Sequence, residues 1–242
     1  MAFCAAGSAC GGGALDSYND RIALAESSFK AGAYAKAAAV YESIVRVDKV
    51  KNPYIYYNLS NAYYRKGESG RALLNIERAW RLAPGDKDIR YNLNFLKNIT
   101  GQAESSFVGV LTYRISSICS LNCASVAVLA LFILFCLTLS SYFILRKKIF
   151  KTAAIAAAIL FLPAVFVLGV KAYNEITVTS AVFVEEGVVR SGPGDSNPEL
   201  FTAGEGMIAR VLSESENWSS IEVNTGGTRQ YGWAESSKLE KI

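Results

Sequence analysis

The sequence predicts a multidomain chain: an all-α helical-repeat solenoid, then a two-helix transmembrane hairpin, then an all-β barrel. Three observations carry this reading. A set of apolar and aromatic residues recurs at a spacing of 34 residues in the N-terminal part. Two charge-free apolar runs flank a short basic segment in the middle. Beyond them the apolar pattern changes from helical spacing to alternation. A mean hydropathy of +0.21 is high for a soluble chain, and the apolar excess lies between Ser125 and Val170.

Composition narrows the function classes. The net charge is +4 over 242 residues, and the basic side chains are scattered, so the stripe expected of a nucleic-acid binder is missing and no nucleic-acid partner is expected. There is no histidine. That excludes Ser/His and Cys/His nucleophile systems, histidine-ligated metals and histidine acid/base work. A non-enzymatic protein without catalytic residues, metal or cofactor is expected. The cysteines Cys4, Cys10, Cys119, Cys123 and Cys136 imply no disulfide framework. Cys119 and Cys123 stand one helical turn apart, the spacing of a redox pair or half a metal site. With no second ligand pair they read as small apolar residues.

Residues 1–16 read as the remnant of an export signal or a flexible lead. Gly7, Ser8, Ala9 and Cys10 have the small side chains of a cleavage site, and Cys10 suits lipid attachment, although no basic region precedes them. Residues 17–104 hold the repeats. Ile55, Tyr57, Asn58 and Leu59 recur as Ile89, Tyr91, Asn92 and Leu93, and Gly67 recurs as Gly101, each 34 residues later. The middle unit has Leu59, Ser60, Ala62, Tyr63, Gly67, Ala72, Ile76, Ala79 and Pro84 at interlocking positions. The first unit uses Leu24, Ala25, Phe29, Gly32, Ala37, Tyr41 and Ile44, one residue out of phase, and the third offers only its first helix. Because about three such units are needed for stability, self-association or a partner is expected to complete the stack.

Residues 105–123, with Phe107, Leu111, Ile115 and Ile118 at helical spacing, read as an amphipathic helix on the membrane surface or packed on the repeats. Residues 124–145 and 152–170 are long enough to span a hydrocarbon core of ~30 Å as helices. Between them, residues 146–151 carry Arg146, Lys147, Lys148 and Lys151. Such a loop stays in the cytoplasm, which sends both flanking domains to the far side of the membrane, the periplasm or its equivalent. Ala153, Ala154, Ala157 and Ala158 form a small-residue face, suited to packing within the hairpin or to a dimer contact. Residues 177–242 hold five β-rich runs, VTSAVFV, GVVR, MIARVLS, WSSIEVN and QYGWAE, separated by turn clusters.

The repeat period and its small residues resemble tetratricopeptide repeats over Ser17 to Gly101. The resemblance implies a concave groove for a peptide or a partner's helix, lined at matching positions by Tyr57, Asn58, Asn61, Tyr64, Arg65, Tyr91 and Asn92. Ile22 and Glu26 stand where repeats that clamp a C-terminal carboxylate carry lysine and asparagine, a departure from that specificity. The C-terminal pieces VVRSGPGDSNPELF, GEGMIARVLSESENWSSIEV and GWAESSKL resemble bacterial SH3-like domains, which implies binding without catalysis. Asp195, Tyr231 and Trp233 are the candidate ligand surface there, and Trp218 is read as core. Asp195 with Glu199 forms the nearest carboxylate pair, in a loop with no implied pocket.

Repeats, membrane hairpin and SH3-like domain in this order resemble the E-type proteins of aerotolerance-related Bat operons. That resemblance implies an envelope scaffold beside von Willebrand A-domain membrane proteins and a MoxR-type ATPase. The alternatives are a cell-wall anchor or sensor whose SH3-like domain binds peptidoglycan, and a thiol oxidoreductase using Cys119 and Cys123.

Overall fold

The computed structural model describes residues 12–47, 49–102, 121–177, 179–225 and 228–242. Five helices come first: α1 (Gly12–Lys30), α2 (Tyr34–Val47), α3 (Pro53–Lys66), α4 (Ser69–Leu82) and α5 (Lys87–Ile99), each packed on the next. Local chemistry sets their ends. Gly32, Gly67 and Gly101 follow α1, α3 and α5 with φ of 77°, 95° and 71°. A β-carbon resists that left-handed conformation, so the repeated glycine marks where each first helix stops. The side chains of Asn52 and Asp86 accept hydrogen bonds from the backbone N–H groups of Tyr54 and of Asp88 and Ile89, capping α3 and α5. Pro53 opens α3, where no N–H is needed.

The repeat predicts burial as well as helix ends. Ile55 and Ile89 are 3% and 1% exposed, and Leu59 and Leu93 are 2% and 0%. Ala25, Ala37, Ala62, Ala72 and Ala79 are buried at the helix crossings, where a side chain of one methyl lets backbones approach. Two polar ties run through this core: the Ser60 hydroxyl donates to the Ala72 carbonyl at 2.7 Å, and Lys97 Nζ meets Glu77 Oε1 at 2.8 Å between α5 and α4.

Two long apolar helices follow, α6 (Leu121–Leu145) and α7 (Lys148–Thr177). The 25 residues of α6 span about 37 Å at the helical rise, more than a bilayer core requires. They pack on each other through Phe132, Phe135 and Phe161, with ring centroids 5.7 and 6.4 Å apart, and through the buried Ala154 and Ala157. Part of the small-residue face is therefore consumed inside the hairpin. The outward side chains, among them Phe143, Ile144, Leu162 and Phe166, are exposed, the reverse of a soluble core helix. Only Arg146 and Lys147 lie between the helices; Lys148 and Lys151 stand in the first turn of α7.

The C-terminal part is a seven-stranded antiparallel sheet in the order β3-β2-β6-β5-β4-β1-β7. Its strands are β1 (Thr179–Phe183), β2 (Gly187–Arg190), β3 (Glu199–Ala203), β4 (Ile208–Ser215), β5 (Trp218–Thr225), β6 (Thr228–Glu235) and β7 (Leu239–Lys241). It closes over Phe183, Val189, Ala203, Ala209, Ile221, Val223 and Ala234.

Several expectations change. Among the described residues there are seven strands where the sequence shows five β-rich runs, because β3 and β7 are short edge strands paired on one side only and carry little alternation. Trp218 opens β5 but lies outside the core cluster and is half-buried. Ser219, Ile221 and Val223 take the inward face, and period two sends Trp218 to the other. α1 reaches back to Gly12, into the stretch read as a lead, and α7 runs on to Thr177. Residues 1–11 and 103–120 lie outside the described residues, and with them Cys4, Cys10, Cys119 and most of the expected amphipathic helix.

The β domain rests on the repeats, an arrangement absent from the sequence reading. Val182 and Val184 are buried in the repeat core cluster rather than in that of the sheet. The Gly70 N–H in α4 donates to Glu205 Oε1 at 2.7 Å, and the Ile208 N–H to Gln102 Oε1 at 3.3 Å. Arg78 donates to the Lys241 carbonyl at 2.6 Å and Arg81 to the Ile242 carbonyl at 3.2 Å. Two glycines make the fit possible. A Cβ on Gly70 would lie 2.5 Å from the Phe183 carbonyl oxygen, and one on Gly206 would lie 2.5 Å from Thr100 Cγ2.

Candidate functional site: a trough along the first helices of the repeats

The face formed by α1, α3 and α5 carries two adjoining cavities. One, of about 160 Å³, is lined by Glu26, Phe29, Lys30, Tyr41, Asn58 and Asn61. The other, of about 230 Å³, is lined by Phe29, Asn61, Tyr64, Arg65, Asn92, Phe95 and Leu96. Phe29 and Asn61 border both, so the two form one trough across α1, α3 and α5, with Tyr41 of α2 at its floor. The contact with the β domain uses α4 and the residues after α5 and leaves this trough outside it.

Each lining side chain has a local reason for its place. Asn61 and Asn92 occupy facing turns of α3 and α5, and Asn92 Nδ2 donates to Asn61 Oδ1 at 3.1 Å. One carboxamide lends the other an oxygen and keeps further donors and acceptors for a ligand. Tyr64 meets Phe95 edge-on, with ring centroids 5.4 Å apart. Arg65 donates to the Tyr34 hydroxyl at 2.9 Å from Nη2 and lies over the same ring at 5.2 Å from its centroid. Tyr34 thus holds the guanidinium at the rim while leaving most of its donors free of that bond. At the floor, burial raises the Tyr41 phenol above its ordinary value, and the nearby Glu26 carboxylate pushes the same way. Tyr41 is therefore a neutral hydrogen-bonding group at physiological pH.

Of the residues expected in the groove, Asn58, Asn61, Tyr64, Arg65 and Asn92 line the trough. Tyr57 is half-buried against the repeat core, and Tyr91 is 72% exposed and borders neither cavity. The sequence reading missed Phe95. It follows Asn92 by one helical turn on α5, so the i, i+3 spacing was its available signal. Phe29, a packing position of the first unit, and Glu26, its departure from the carboxylate clamp, both face the trough.

On the β domain, Tyr231 and Trp233 project from one face of β6, and Ala234 from the other into the core. Tyr231 is 54% exposed, and Trp233 pairs in register with Arg190 of β2. Arg190 donates to the Asn197 carbonyl and forms ion pairs with Glu199 at 3.2 Å and Asp195 at 3.9 Å. The Asp195–Glu199 pair thus has a structural partner that holds the loop between β2 and β3. In comparison with known proteins, no family model and no curated sequence matches this chain.

Proposed function

We propose that this chain is a non-catalytic, membrane-anchored interaction scaffold whose trough holds a peptide or helix of a protein partner. The observation that carries the reading is the trough itself: a concave face with an amide pair, Asn61 and Asn92, flanked by the aromatic rings of Phe29, Tyr64 and Phe95. Amides satisfy the backbone of a docked segment, and rings bury its side chains at small entropic cost.

Two features support placing both folded domains on one side of the membrane. A hairpin of two spanning helices returns the chain to the side it left, and the contact of the β domain with α4 requires one common side. The basic cluster Arg146, Lys147, Lys148 and Lys151 at the turn favours the cytoplasm, which supports a periplasmic place for the two domains. In this reading the repeats are tetratricopeptide units and the β domain an SH3-like module. The chain then serves a Bat-type envelope complex with von Willebrand A-domain proteins and a MoxR-type ATPase, as the order of its parts suggests.

The test is photo-crosslinking in native membranes from a reactive residue placed at Asn61 or at Tyr91. Adducts with membrane-embedded von Willebrand A-domain proteins that disappear in the Asn92→Leu background are expected. Absence of any protein adduct from both positions refutes the reading.

A further inference from the structure

Helix α5 takes part in two contacts at once. It packs on α4, and it meets α3 through the Asn92–Asn61 and Phe95–Tyr64 pairs that close the trough. Its far end meets the β domain. Thr100, which caps α5, fills the space beside Gly206, where an added Cβ would lie 2.5 Å from Thr100 Cγ2. Two residues on, Gln102 Oε1 accepts from the Ile208 N–H at 3.3 Å, and Ile208 itself packs against the repeat core.

Short links tie this end of the helix to the trough. The Thr100 hydroxyl donates to the Leu96 carbonyl at 2.9 Å, and the Gln102 N–H donates to the Lys97 carbonyl at 2.7 Å. Leu96 lines the trough, and Lys97 is held to Glu77 of α4 at 2.8 Å. From Asn92 to Thr100 the helix measures about 12 Å, a short rod whose hydrogen bonds run along its length. A shift imposed at Thr100 therefore reaches Asn92 and Phe95, and a bridge at Asn92 steadies Thr100. The seating of the β domain supplies the two states that coupling needs, since a packed interface is either made or broken.

We infer that α5 couples the trough to the β domain. An occupant bridging α3 and α5 tightens the seating of Gly206 and Ile208 on Thr100 and Gln102, and release of the β domain loosens the Asn61–Asn92 contact. Linkage makes this reciprocal: the factor by which an occupant favours docking is the factor by which docking favours the occupant. The coupling needs no particular partner, so failure to capture one leaves it standing.

The experiment installs a bridge of known chemistry. The chain has no histidine. Asn61→His with Asn92→His, in the full chain in nanodiscs, places two imidazoles across the trough as a Ni²⁺ site, and Asn92→His alone is the control for binding elsewhere. Saturating Ni²⁺ is expected to slow amide exchange over residues 204–208 about fivefold in the double variant and to leave the control unchanged. Adding Gly70→Ala, which pushes the β domain off α4 without touching α5, is expected to weaken Ni²⁺ binding by up to about the same factor. Unchanged exchange over residues 204–208 under saturating Ni²⁺ overturns the coupling. So does Ni²⁺ binding no tighter than in the control, because the facing turns of α3 and α5 are its premise. An undiminished Ni²⁺ affinity in a Gly70→Ala chain that has lost protection over 204–208 overturns it as well.

Discussion

Gly70→Ala reads out the docking of the β domain with a sign that distinguishes docked from separate domains. Gly70 is the second residue of α4. In a free helix, alanine there adds up to about 1 kcal/mol of stability through propensity. In the docked chain the added Cβ lies 2.5 Å from the Phe183 carbonyl oxygen, 2.7 Å from Glu205 Cγ and 3.0 Å from the Gly206 nitrogen. Two of these neighbours are backbone, so the β domain must withdraw by the better part of an ångström. The 2.7 Å bond from the Gly70 N–H to Glu205 then lengthens beyond useful range. Losing a hydrogen bond to a charged acceptor costs about 1.5–3 kcal/mol, and overpacking costs a further ~1–3 kcal/mol before relaxation. After the propensity gain, a net loss of about 2 kcal/mol is expected. The assay is denaturant unfolding of the full chain together with segment-resolved hydrogen exchange. Protection should fall over residues 179–184 and 204–208 and persist in α1 and α2. A variant that gains stability and keeps protection in both segments refutes the docking argument.

Lys97→Met strands the Glu77 carboxylate, 8% exposed, and is expected to cost about 3–5 kcal/mol in denaturant unfolding, most of it recovered when Glu77→Leu is added. Burial, reinforced by the hydrogen bond donated to Glu42, raises the Tyr63 phenol to about 12. A raised group contributes its full stability below the unfolded value of 10.0, so stability falls as pH climbs from there towards 12, by of order 2 kcal/mol, and Tyr63→Phe flattens that limb in a pH series of melts. Ala157→Leu places a large side chain where α6 and α7 touch and should loosen the hairpin by ~1–3 kcal/mol. Ile159→Leu on the exposed face should be nearly neutral in the same detergent-unfolding assay.

Wherever structure depends on short-range pattern, the sequence was a sufficient guide. The spacing of Gly32, Gly67 and Gly101 marks helix ends because left-handed φ is a property of single residues. Ile55 and Ile89 are buried because each helix must hide one face. Charge-free runs name the apolar helices, since the cost of a charge in hydrocarbon is independent of the rest of the fold. Of the groove residues implied by the resemblance to tetratricopeptide repeats, Asn58, Asn61, Tyr64, Arg65 and Asn92 line the trough. Tyr57 and Tyr91 hold the same place in the repeat, yet one is half-buried and the other 72% exposed, because burial depends on the neighbouring helices.

Only the tertiary structure decided how the β domain sits. Gly70, Gln102, Val182 and Glu205 look ordinary in sequence, and each acquires its role from a residue on the other domain. A periodic pattern reports the solvent a residue avoids; a contact between domains depends on shape and on single hydrogen bonds, which leave no period to read.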